Sequence, residues 1–124
     1  MAETTVDTQY DLTIHKYSGN LTEQGLLNTI QSFYEDSPTL YTLCDYSDAS
    51  IDRISIAFVR QLYSMVQKLG FARQGGKTAV VAPEDLGYGL ARMFQIMSDT
   101  DDFPFETRVF RSYDEAKQWL LEKE

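Results

Sequence analysis

Cysteine, histidine and proline are scarce in this chain, with one, one and three copies in 124 residues. A lone cysteine, Cys44, excludes an internal disulfide framework and suits a reducing compartment, so a cytoplasmic location is expected. A lone histidine, His15, excludes a histidine-rich zinc site and any Ser-His-Asp or Cys-His mechanism that does not use it. Positive charge is also short, with 11 Lys and Arg against 19 Asp and Glu and a net charge of −8. No Lys/Arg cluster stands out, so neither nucleic acid nor an anionic membrane surface is an expected partner. No apolar run approaches the roughly 18 residues that span a bilayer, and membrane insertion is not expected. The opening MAETTVDTQYD is acidic and polar, unlike a secretory or transit peptide.

What is present suits one folded domain over residues 1–124, at 43% hydrophobic and 24% charged. YDLTIHKY (10–17) alternates Leu12 and Ile14 with Thr13, His15 and Tyr17, the period of a half-buried strand. That places His15 on the face opposite Leu12 and Ile14, as a structural or solvent-facing residue. Residues 4–8 offer a hairpin partner. Leu21-Thr22-Glu23 opens a helix whose stripe is Leu26, Leu27, Ile30, Phe33 and Tyr34, closed before Pro38. TLYTLCDY (39–46) reads as a strand and SDAS (47–50) as a turn. A long helix follows with Ile51, Ile54, Phe58, Leu62, Met65 and Leu69 on one face, and Gly70 stands where a left-handed cap is expected. KTAVVA (77–82) reads as a central parallel strand buried on both faces. A helix carrying Leu86, Leu90, Met93, Phe94 and Met97 comes next, then the strand FETRVFR (105–111). Ser112 and Glu115 make a capping box for a last helix burying Ala116, Trp119 and Leu120. Strands alternating with helices require crossovers, so the fold class is α/β with a small open, mainly parallel sheet of four to five strands and about four helices.

Several stretches imitate chemical motifs. GFARQGGKTAVV (70–81) resembles a phosphate loop, but that loop needs a glycine five residues before Gly76, where Phe71 stands. It must also lead from a strand into a helix, and here the order is reversed. Gly87-x-Gly89 has Arg92 where a dinucleotide fingerprint needs its third glycine. Two glycines in one helix are explained by close approach to the sheet, or by a groove beside Tyr88 and Arg92 that receives a ligand or partner. Cys44 lies beside Asp45 with no adjacent cation in sequence and is expected to be buried and unreactive. Asp45, Ser47, Asp48, Glu84, Asp85 and Ser112 gather at the strands' carboxyl ends, where Asp85 and Ser112 also serve as helix caps. Neither a metal nor a cofactor is expected, and no catalytic set assembles, so the chain is not expected to be an enzyme.

KTAVVAPEDLGYGLARMF, followed by FETRVFRS and a DEAKQWL helix, resembles the small stand-alone bacterial proteins of the SpoIIAA-like, STAS-related superfamily. LCDYSDAS and YSGNLTEQGLL upstream fit the same pattern. The resemblance implies helices packed on a mostly parallel sheet. It also implies functions found among relatives: anti-anti-sigma factors that bind a kinase partner and are switched by serine phosphorylation, and lipid-carrier domains that bind hydrophobic ligands. Leu43 to Ser47 is similar to the strand end before the phosphoserine loop, but Ser50-Ile51-Asp52 lacks the Ser-Gly pair that follows there. Ser47 and Ser50 are therefore switch candidates by position alone, with Asp45 beside them.

Two expectations follow. The first is a regulatory domain that binds a protein partner through the loop of Asp45, Ser47 and Ser50, with Tyr88 and Arg92 nearby; homodimerisation through an exposed aromatic patch belongs with it. The second is a carrier or sensor for a small apolar or amphipathic ligand held between helices and sheet.

Overall fold

The computed structural model describes residues 2–100 and 102–122. Its elements run β1 (Ala2–Asp7), β2 (Leu12–Asn20), α1 (Glu23–Glu35), β3 (Tyr41–Ser50), α2 (Ile56–Leu69), a short 3₁₀ turn (Gly70–Arg73), β4 (Lys77–Val81), α3 (Asp85–Thr100), β5 (Glu106–Phe110) and α4 (Tyr113–Leu120). The five strands lie side by side in sequence order. Strand β1 pairs antiparallel with β2, and every later pairing is parallel. The expected α/β class, hairpin partner and strand–helix alternation are all present.

Strand alternation sends two sets of side chains to opposite faces. On one face Leu12, Leu43, Ala79 and Val81 pack against Ala116, Trp119 and Leu120 of α4. Ser112 caps that helix by accepting from the Glu115 amide. The other face carries Thr13, His15, Tyr17, Thr42, Cys44, Tyr46, Thr78, Val80 and Thr107, and is covered by α1, α2 and α3.

Four local details differ from expectation. The SDAS stretch is not a turn: β3 continues to Ser50, because β2 continues to Asn20 and pairs with it beyond a bulge between Lys16 and Ser18. Helix α2 starts at Ile56, since Ser55 caps it by accepting from the Phe58 amide, and Ile51 and Ile54 belong to the preceding loop. Gly70 is right-handed (φ −71°), because the chain runs on into the 3₁₀ turn. The left-handed residue is Gly75 (φ +85°). Beside it, a Cβ on Gly76 would strike the Leu40 carbonyl. The glycine pair is thus a tight entry into β4, as its helix-to-strand context requires. Strand β4 is paired on both sides, although β3 is the middle strand.

Candidate functional site

The three-helix face of the sheet is not filled. Between it and α1, α2 and α3 lies a cavity of about 140 Å³. Its roof is aliphatic and aromatic, with Leu26 and Ile30 from α1, Phe58 and Leu62 from α2, and Leu90 and Phe94 from α3. These residues stand three or four apart on each helix, the spacing that puts side chains on one stripe. Gly87 keeps α3 close at its N-terminal end, where a Cβ would stand 3.2 Å from Ile51 Cδ1 and 3.5 Å from the Ala82 Cβ.

The floor is unusual for a buried sheet face. The second residue of each of β2, β3, β4 and β5 is a threonine, and the pairing registers place Thr13, Thr42, Thr78 and Thr107 in one row across the sheet, of which the last three line the cavity. Hydrogen bonds satisfy most of this row. The Thr13 and Thr39 hydroxyls lie 2.7 Å apart, and Thr42 donates to Thr78 at 2.9 Å. Thr107 Oγ1 is buried without a partner among the described residues. The next row holds His15, Cys44, Val80 and Val109, and beyond it the Tyr17 and Tyr46 rings stack at 4.7 Å between centroids. The Tyr17 hydroxyl lies beside that of Tyr46 but forms no well-aligned hydrogen bond.

Arg73 closes the cavity at the threonine end and is only 1% exposed. Its guanidinium donates to the carbonyls of Thr39 (2.8 Å), Leu40 (3.1 Å) and Lys77 (3.0 Å), and to the Tyr34 and Thr42 hydroxyls (both 3.2 Å). The Phe105 ring lies 4.2 Å from its central carbon. The ion pairs of the described residues are Lys16–Asp48, Glu106–Arg108 and Asp85–Arg111, and none involves Arg73. Among the described residues, the partners of this buried positive charge are all neutral acceptors.

That charge and the apolar surroundings set the titration of neighbouring groups. Burial, helped by Arg73, lowers the His15 pKa to about 4, so the ring is neutral at pH 7. His15 Nδ1 meets the Thr4 hydroxyl at 3.1 Å, and Phe33 sits edge-on to its ring. Burial raises the Cys44 thiol to about 11 despite an opposing pull from Arg73, so the group is a thiol rather than a thiolate at pH 7; the residue is half-buried in the cavity wall. Tyr34 is raised by burial and drawn partly back by Arg73, while burial lifts Tyr17 and Tyr46 well above the ordinary phenol range. His15 and Phe33 also line a second, more polar hollow between α1 and the β1–β2 hairpin, and so form the partition between the two.

The residues singled out from sequence lie elsewhere. Asp45 is buried and accepts from both the amide (2.9 Å) and the hydroxyl (2.6 Å) of Ser47, which is itself exposed. Ser50 is not part of that contact; its hydroxyl accepts from the Asp52 amide. Tyr88 stacks under the Arg111 guanidinium at 4.3 Å, and Arg92 is exposed. Neither lines the cavity, which α3 meets through Gly87, Leu90, Ala91 and Phe94. Asp85 pairs with Arg111 and Asp48 with Lys16. Among the described residues, no group of three His, Cys, Asp or Glu side chains is arranged to hold a metal, and no helix is long and apolar enough to cross a membrane. Arg73 was missed because nothing in GFARQGG distinguishes a buried arginine from a solvated one. The threonine row had a signal: LTIH, YTLC, KTAV and ETRV each carry threonine in second place.

A five-stranded sheet in sequence order, with its first strand antiparallel and three helices facing one, can be compared with solved structures. A protein from Shewanella loihica PV-4, described as an uncharacterised member of the DUF3478 family with a SpoIIAA-like fold, superposes with a TM-score of 0.59 over 97% of this chain and 92% of its own. The fold is SpoIIAA-like. At 17% identity the SpoIIAA-like likeness concerns architecture alone. No protein-family model and no curated protein matches the chain.

Proposed function

We propose that the chain is a binding protein whose three-helix face encloses a small apolar or amphipathic ligand. The observation that carries this reading is the cavity of about 140 Å³ with an apolar roof contributed by three helices. Protein interiors are normally packed to crystal density, and an unfilled volume forfeits contacts along its whole lining. A cavity of about 150 Å³ lined by Leu, Ile and Phe stays dry and takes up benzene. His15 and Cys44 both line the cavity, but no hydrogen bond joins them among the described residues, and burial keeps Cys44 a thiol at pH 7. Binding is the chemistry these groups support.

Native mass spectrometry of the protein purified from its own cells tests this. A reproducible apolar adduct is expected on the native chain and absent from Ala91→Leu, which fills the cavity from α3 with a good helix former. An adduct retained by that variant would contradict the reading.

A second reading, as a protein-interaction domain, is favoured by the exposed Ser47 on buried Asp45. A phosphate on Ser47 would remove the 2.6 Å hydrogen bond and set like charges together, a local switch for a partner surface. Phosphopeptide mapping of native protein tests it, and unmodified peptides over Ser47 and Ser50 in all growth conditions would count against it.

A further inference from the structure

We infer that the ligand of this cavity carries a carboxylate, which docks at Arg73 and the threonine row. This deepens the ligand-binding reading and rests on it. Buried arginines are ordinarily matched by an acid, because an unpaired charge in a low-dielectric interior is costly. Arg73 is 1% exposed and meets three carbonyls and two hydroxyls, with no acidic side chain of the described residues in ion-pair reach. Among the described residues the charge is hydrogen-bonded but not neutralised, and Arg73 lies in the cavity wall.

The two longest of its contacts, to Tyr34 and Thr42 at 3.2 Å, are the two made to hydroxyls, and both residues line the cavity. Hydroxyls rotate, whereas the carbonyl partners are fixed by the backbone. A carboxylate arriving from the cavity can take the guanidinium donors facing it, while Tyr34 turns its proton toward the carboxylate oxygens and Thr42 keeps its bond to Thr78. Thr107 adds independent support. It is 2% exposed, lines the same cavity, and its hydroxyl has no partner among the described residues. It stands beside Thr78 in the row that begins at the Arg73 contact with Thr42. An orphaned buried hydroxyl is a donor awaiting an acceptor.

The other surroundings fix the rest of the ligand. The remainder of the roof is apolar, so the body of the molecule is hydrocarbon or aromatic. The volume suits about six to ten non-hydrogen atoms, by comparison with the cavity that holds benzene. The class is a short-chain or small aromatic monocarboxylic acid. A phosphate monoester fits less well, since one guanidinium offers one charge to a group carrying nearly two.

Calorimetric titration of the full chain at pH 7 with hexanoate and with hexanamide, its neutral counterpart of like shape, tests this. Hexanoate is expected to bind about tenfold tighter, the worth of a charge-assisted contact after desolvation of the acid. Arg73→Met should abolish the preference while hexanamide still binds. Should that variant not fold, Thr107→Val decides: its shape is kept, and the hexanoate preference should fall about threefold, one neutral hydrogen bond's worth. Equal affinity for the two probes in the native chain would overturn the carboxylate assignment while leaving the ligand-binding reading intact. An unchanged preference in Thr107→Val would also overturn the site as drawn. Binding of neither probe would overturn both readings.

Discussion

Val80 and Val81 are neighbours in β4 and face different interiors. Val81 is 0% exposed and packs in an apolar cluster with Leu12, Leu43 and the residues of α4, closed by one short helix. Val80 faces three helices, yet lines a cavity whose floor is threonine, histidine, cysteine and tyrosine. More cover has produced less packing. Burial stabilises both faces, since Tyr17, Leu21, Leu26 and Phe58 form a second packed cluster under the helices. The three-helix face holds polar groups that need hydrogen bonds, a cation with no counter-charge among the described residues and empty volume, all of which cost stability. A face that departs from good packing in three ways at once is where function is expected.

The largest effect that sharpens this contrast is pH dependence. The His15 pKa is about 4 in the folded chain against 6.5 when unfolded. As pH falls through 6.5 the unfolded state takes up a proton that the folded state refuses until about 4. The stability contribution of this group is complete above the upper value and lost progressively down to the lower one, about 3 kcal/mol in all. Urea unfolding across that window should show the loss, and His15→Gln, which keeps a hydrogen-bonding group near Thr4, should flatten it. His15 shares the cavity wall with Arg73, Cys44 and Phe33.

The same substitution on each face comes next. Val81→Ala should cost about 2 kcal/mol, the transfer of two methyl groups plus a new void. Val80→Ala should cost under about 1 kcal/mol, because its side chain already borders empty space and forfeits fewer contacts. Equal losses in denaturant titration would erase the distinction between the faces. Thr107→Val should then raise stability by up to about 1 kcal/mol, since it removes a buried hydroxyl that lacks a partner. Gly89→Ala is the smallest effect, a gain of about 0.5–1 kcal/mol from helix propensity. A Cβ there meets nothing within 4 Å.

The architecture was legible because apolar spacing and the Ser112 cap report local geometry directly. The site was less so, for a physical reason. Alternation in YDLTIHKY identifies two faces of a strand but not what covers the polar one. Thr13, His15 and Tyr17 read as a half-solvated face, yet they are 2%, 4% and 1% exposed under α1 and its neighbours. The hydroxyl of Thr13 and the ring of His15 find partners inside the protein, in Thr39 and Thr4, while the Tyr17 ring stacks on Tyr46. Arg73 is a long-range feature of the same kind, since its carbonyl partners come from residues 39, 40 and 77. The glycine pair Gly75-Gly76 was readable because its context, helix before and strand after, is local. Gly87 and Gly89 divide the two explanations weighed for them: Gly87 permits close approach, and Gly89 stands in open space.

On the ligand-binding reading, one face of the sheet stays packed while the other receives a ligand. Methyl-resolved NMR during titration with hexanoate tests it most directly. Resonances of Leu26, Ile30, Val80 and Leu90 should shift and saturate together, while those of Leu12, Leu43 and Val81 stay in place. Shifts spread equally over both faces, or confined to the α4 side, would contradict the account.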